Sequence, residues 1–201
     1  MTLDELRAAL AGVPEWAWLA DALVRVRADP DTVGPFFARA ERKLGREPLV
    51  ADSPWTAGRA GRALLLAEVA DPERIAMLYR QGDAAERLAV LAALPLLDLG
   101  DAAVPLLHDA LRTNDARLVA AALGPYAAHL DADTWRQGVV KCVFMGIPLG
   151  AVDRLDDRAD QALAGMLAAL AQERAAADRR LPADAVALLN RLTVPPPRKQ
   201  E

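Results

Sequence analysis

Three aspartates, Asp156, Asp157 and Asp160 in the segment "DRLDDRAD", are spaced as DDxxD. On a helix, carboxylates at i and i+4 share a face, and such a face can hold magnesium ions that bridge to a diphosphate. The activity implied would be that of a magnesium-dependent enzyme acting on a prenyl or sugar diphosphate. A plainer reading makes the same residues a helix start, with Asp156 as the N-cap and further acids in the first turn, where they interact favourably with the helix dipole. Arg158 inside the pattern and the lack of a second acidic motif favour the plainer reading.

The second candidate is Lys141, the lone charge in the apolar stretch "VVKCVFMGIPLG". At about 100° per residue, Val139, Val140, Cys142, Val143 and Phe144 cover a broad arc, so the lysine stem must run along apolar surface. Two placements satisfy this. The ammonium can snorkel to water at the helix edge, or it can be buried against a carboxylate, because an unpaired buried charge is costly. For the second, Glu173, Asp156 and Glu86 are the expected partners in that order, since the "GIPLGAVDRLD" connection should fold the next long helix back on the Lys141 helix. Other chemistry has little support. His108, His129 and Cys142 are too few and too badly spaced for a zinc site, and neither a glycine-rich phosphate loop nor a GxSxG elbow is present. No metal and no cofactor is expected.

The elements that must position these residues are helices. Hydrophobic residues make up 53% of the 201 residues but aromatics only 4%, with β-branched residues sparse, which favours helix over sheet. The length fits one domain, expected over 1–193, and the proline-rich, charged segment 194–201 is expected to be disordered. A formal charge of -4 argues against nucleic acid as a partner. The start "MTLDELRAAL" reads as an amphipathic helix and not a signal peptide, and apolar runs such as "LAVLAALPLL" are short of the roughly 20 residues a transmembrane segment needs. A single cysteine suits a reducing, cytoplasmic setting.

Start and stop signals predict a series of helices. Thr2 and Glu5 have capping-box spacing; Pro14, Ser53-Pro54 and Asp71-Pro72 read as starts, and Gly45 as a stop. Asn114 and Asp133 are expected to cap the helices that follow them, a long helix is expected over 157–179, and Pro182 opens the last one. Between Asp71 and Gly146 short helices alternate with turns of two to four residues. The fold class is therefore all-α, either a HEAT-like α-solenoid or an irregular bundle of antiparallel helix pairs.

Four segments in order, "SPWTAGRAGRALLL", "LRTNDARLVAAALGPYAAHL", "WRQGVVKCVFMGIPLGAVDRLDDRA" and "AQERAAADRR", resemble the EboA-domain family of metabolite-traffic proteins. Trp55, Arg62, Arg112, Thr113, Asn114, Tyr126, Lys141, Phe144, Pro148, Asp156, Arg158, Glu173, Arg174 and Arg179 carry the likeness. Gly124 and Ala127 depart from the family's "NPYPA" element, Arg154 stands where a glycine usually precedes "LD", and Gln172, Ala175 and Asp178 depart from its "HERWAAGR". Asp156 and Arg158 belong to the family's "LDxRA" pattern, whereas Asp157 and Asp160 do not. The resemblance implies a bacterial protein encoded beside a membrane prenyltransferase-like protein and a sugar-phosphate-cyclase-like enzyme, in clusters that mature or move a secondary metabolite. It assigns no reaction to this chain.

The function expected is a non-catalytic helical binding or adaptor protein, with a small metabolite or other proteins of the same pathway as partners. Its candidate site is Arg62, Arg112, Asn114, Tyr126, Lys141, Asp156, Arg158, Glu173 and Arg174. Convergence of these side chains would form a basic-rimmed cleft for an acidic ligand or chain terminus. The alternative arrangement is a set of buried ion pairs between helix layers.

Overall fold

A computed structural model describes residues 1–51 and 53–193. Among them lie twelve α-helices joined by short turns, and an isolated bridge between Pro48 and Thr56 is the sole β pairing. No helix among the described residues is long and apolar enough to cross a membrane. The segment 194–201, expected to be disordered, lies outside the described residues. The helices group into two compact units, Met1–Leu107 and the chain from His108 onward.

The first unit holds α1 (Leu3–Leu10), α2 (Trp16–Ala28), α3 (Val33–Leu44), α4 (Ala57–Val69), α5 (Pro72–Gln81) and α6 (Ala84–Ala93). The capping box of Thr2 and Glu5 forms as expected, and Asp71 caps α5 with Pro72 in its first turn. Asp83 and Glu86 add a second capping box at α6. Two starts differ from the sequence reading. Pro14 lies in a turn ahead of Trp16, and α4 is capped by Thr56, whose hydroxyl accepts from the Arg59 amide, while the Ser53 hydroxyl accepts from the Trp55 amide and holds the preceding turn.

The central helix α4 packs against α1, α2, α3, α5 and α6, and its burial on all sides matches a sequence of alanine, glycine and leucine with few polar positions. Small residues allow the closest approach: a Cβ on Gly58 would lie 2.6 Å from the Glu41 Cα of α3. Arg62 is the buried charge of this helix, 4% exposed. Its Nε donates to the Phe37 carbonyl at 3.0 Å, its Nη1 to Glu41 at 3.1 Å, its Nη2 lies 3.6 Å from Glu86, and the guanidinium sits 5.2 Å from the Phe37 ring centre. Glu68, near the other end of α4, accepts from Arg27 and Arg7, and the Arg27 hydrogen bond above all holds its carboxyl below the usual range.

The boundary between the units falls within α7 (Val104–Arg112), between Leu107 and His108. The second unit continues with α8 (Ala116–Ala122), α9 (Ala132–Met145), α10 (Leu155–Arg158), α11 (Gln161–Ala176) and α12 (Ala183–Thr193). Here α9 packs against α8 and α11, and α11 against α12. The caps are Asp115 and Asp131, not Asn114 and Asp133, because these carboxylates reach the Arg117 and Thr134 amides. The long helix expected over 157–179 is broken: Ala159 is extended, and Asp160, not Asp156, caps α11. Arg154 adopts the left-handed conformation at φ +50°, a geometry that glycine reaches without a Cβ clash.

Replacing Gly58 by alanine should lower stability by roughly 1–3 kcal/mol, since the obstructing atom is backbone. Gly34→Ala in α3, where nothing lies within 4 Å of the new Cβ, should be neutral or stabilising by up to about 1 kcal/mol. Urea unfolding of both variants checks the contrast, and equal losses would refute the close-approach account.

Candidate functional site

Three cationic side chains of the second unit, Lys141, Arg158 and Arg174, are directed at the ends of helical segments. An α-helix leaves its last carbonyls without intrahelical partners, and lysine or arginine can satisfy them while complementing the negative end of the dipole. At the end of α7 the Thr113 hydroxyl donates to the Ala110 carbonyl at 2.8 Å, and the Lys141 ammonium donates to the Leu111 carbonyl at 2.7 Å. Lys141 is half-buried, and its partner is this carbonyl and none of the three carboxylates expected: Glu86 faces Arg62, Asp156 pairs with Arg191, and Glu173 is exposed. A carbonyl suffices because the helix terminus already presents partial negative charge there.

The same arrangement recurs twice. Arg174 donates to the Val143 and Phe144 carbonyls at 3.2 and 2.9 Å, closing the end of α9. Arg158 donates to the Ala127 and Leu130 carbonyls at 2.6 and 2.9 Å, closing the short 3-10 turn Pro125–His129, and lies 4.7 Å from the centre of the buried Trp135 ring. Burial pushes the Arg158 guanidinium below its ordinary value, and the neighbouring Arg154 and Arg136 add to this.

The three aspartates of the DDxxD pattern turn to three different arginines. Asp156 pairs with Arg191 at 2.5 Å, Asp157 with Arg154 at 3.2 Å, and Asp160 with Arg136 at 2.5 Å while capping α11. Hydrogen bonding from Arg136 holds the Asp160 carboxyl down at about 2. Among the described residues no group of three or more His, Cys, Asp or Glu side chains is placed to hold a metal ion. Burial pushes the Cys142 thiol up to about 11, which keeps it protonated and unreactive.

Between α7 and α9 lies a cavity of about 300 Å³. His108, Leu111 and Arg112 line it from α7, at i, i+3 and i+4, and Thr134, Gln137, Gly138 and Lys141 from α9, at i, i+3, i+4 and i+7. Gly138 permits the approach: a Cβ there would meet the Leu123 Cδ2 at 2.9 Å and the Leu111 Cδ2 at 3.3 Å. The Arg112 side chain is 76% exposed, with Asp109 at 3.9 Å. The Nε2 of His108 is buried and has no hydrogen-bond partner among the described residues.

Of the residues expected from sequence, Arg112 and Lys141 share this cavity. Asp156 lines a separate depression of about 460 Å³ with Arg154, Asp157, Asp184 and Arg191. Tyr126 is a buried residue of the 3-10 turn that Arg158 closes, Arg174 and the exposed Glu173 lie on α11, Asn114 is exposed in the α7–α8 turn, and Arg62 belongs to the first unit. His108, Thr134 and Gln137 were not legible as site residues. Their helical spacing relative to Arg112 and Lys141 is visible in the sequence, but the pairing of α7 with α9 is not.

These features define an all-helical protein with a small polar cavity between two helices. A family model described as Metabolite traffic protein EboA matches residues 46–190, and the chain belongs to that family. No curated protein and no solved structure matches it.

Lys141→Met should lower stability by about 1–2 kcal/mol, the value of a hydrogen bond from a charged donor at a helix end, less than the roughly 3 kcal/mol expected for breaking a buried ion pair. Coincident thermal melts of variant and parent would show that the ammonium contributes nothing. Asp160 has a folded value near 2 against an ordinary 3.8, so its contribution is present above 3.8 and is lost as the pH falls toward 2. Asp160→Asn should therefore flatten the acid limb of a stability-versus-pH curve, while an unchanged limb would count against the Arg136 pairing.

Proposed function

We propose that the chain is a non-catalytic binding module of metabolite traffic, acting in the cytoplasm, which holds a small metabolite of its pathway in the cavity between α7 and α9. The observation that carries this reading is the meeting of Arg112 and Lys141 there, two residues at positions of the family pattern, from helices separated by the segment 113–131. The family described as metabolite-traffic proteins supports the ligand class. Sequence-adjacent helices that pack as pairs, such as α5 with α6, α8 with α9 and α11 with α12, are the units from which a HEAT-like array is built.

Such a module needs rigid walls and a modest number of polar groups that orient the ligand. The capped ends of α7 and α9 supply the first, and the half-buried ammonium, the imidazole and the Gln137 amide supply the second. Asn114, Asp156, Arg158, Glu173 and Arg174 of the same unit then act on a partner protein of the pathway, while the buried Arg62 and Tyr126 hold their own units together.

Native mass spectrometry of the full chain, after incubation with a small-molecule extract of cells that carry its gene, tests the reading. The parent should retain a bound small molecule at one-to-one stoichiometry, and Gln137→Trp, which fills the cavity from an exposed position, should not. Retention of nothing by the parent, or equal retention by both, would overturn the assignment.

A further inference from the structure

We infer that the cavity between α7 and α9 recognises its ligand through an anionic oxygen group, a carboxylate or a phosphate, with Lys141 and His108 as inner donors and Arg112 at the exposed edge. This rests on the binding reading above and names the chemical class that the site takes.

Charge is the first argument. The lining comprises Lys141, Arg112 and His108 with Thr134, Gln137, Leu111 and Gly138, and contains no carboxylate. Two other depressions differ: one carries Asp156, Asp157 and Asp184 beside Arg154 and Arg191, and the other Asp31, Asp71 and Glu73 beside Arg74 and Arg80. In a chain whose formal charge is -4, a lining with cations and no acid concentrates positive potential in one place. Two neighbouring acids are engaged: Asp109 lies 3.9 Å from Arg112, and Asp131, which accepts from the Thr134 amide at 2.9 Å and hydroxyl at 2.7 Å, also feels the His108 ring.

Hydrogen-bond capacity is the second. The Lys141 ammonium has three N–H groups, and the Leu111 carbonyl accepts one of them, so capping α7 does not exhaust it. The buried Nε2 of His108 has no partner among the described residues, and a buried ring nitrogen left unpaired is costly. As an N–H donor it is matched by an anionic oxygen. A neutral carbonyl ligand would satisfy His108 but would bring no negative charge to Lys141, whose ammonium meets a carbonyl and no carboxylate. The volume of about 300 Å³ admits an anionic group with a short body, at the small end of ligand sites.

The test uses the full chain carrying His129→Gln, an exposed position, so that His108 is the single imidazole in the proton NMR spectrum. Sodium acetate and inorganic phosphate are titrated separately at constant ionic strength. Saturable movement of the His108 resonance is expected with at least one probe, and the responding probe names the source, acetate for a carboxylate and phosphate for a phosphate ester. Arg112→Gln, whose exposed side chain makes the fold insensitive to the change, should weaken that response about tenfold, as expected for losing one charged contact. No saturable movement with either probe up to about 50 mM, far above the millimolar Kd expected of a single small anion, would overturn the inference. So would identical titrations of parent and Arg112→Gln. A metabolite retained through Gln137 while neither anion binds would leave the binding reading standing and remove the anion from it.

Discussion

The end of a helix is the constraint on which the second unit depends. Each helix must find donors for carbonyls that no following turn supplies, and in a chain of short helices this problem recurs every dozen residues or so. The described residues answer it with long cationic side chains that reach across from another element: Lys141 to α7, Arg158 to the Pro125–His129 turn, Arg174 to α9. Each contact joins residues about thirty positions apart, so each also fixes how one element lies against another. Arg62 does a related task in the first unit, where it adds two carboxylates to the Phe37 carbonyl.

This use of charge explains why basic residues sit in apolar stretches. A lysine or arginine aimed at carbonyls keeps most of its stem against hydrophobic neighbours and needs no acid of its own. Lys141 goes further, since its second role follows from its first: pinned at the end of α7, the ammonium borders the space between α7 and α9. Gly138, one turn earlier on the same face, leaves room for the Leu123 and Leu111 side chains. Helix capping and the cavity lining thus share one stripe of α9.

The acidic segment shows the opposite relation. Asp156, Asp157 and Asp160 look like one motif in the chain, yet the extended backbone at Ala159 separates them, and each is drawn to a different arginine. Nothing in "DDRADQALAG" marks that break with proline, and its glycine comes too late. It arises where the Arg158 side chain is held by distant carbonyls and the Asp160 side chain caps a new helix.

Local rules made much of the chain legible in advance. The all-helical class, the Thr2 capping box, the Asp71-Pro72 start and the Gly45 stop are settled within a few residues, by the hydrogen bonds that one side chain or one left-handed glycine can make to its own neighbourhood. Where two acids compete for one helix start, as Asp131 and Asp133 do, local chemistry is nearly balanced and the sequence alone does not choose. The family likeness was legible because it is written in the order of segments along the chain. Tertiary structure decided what Lys141 touches, that Arg112 lies across from it, and that His108 turns a ring nitrogen inward. Those are facts about which helix faces which, and helical spacing sets the face a residue occupies without naming the surface opposite.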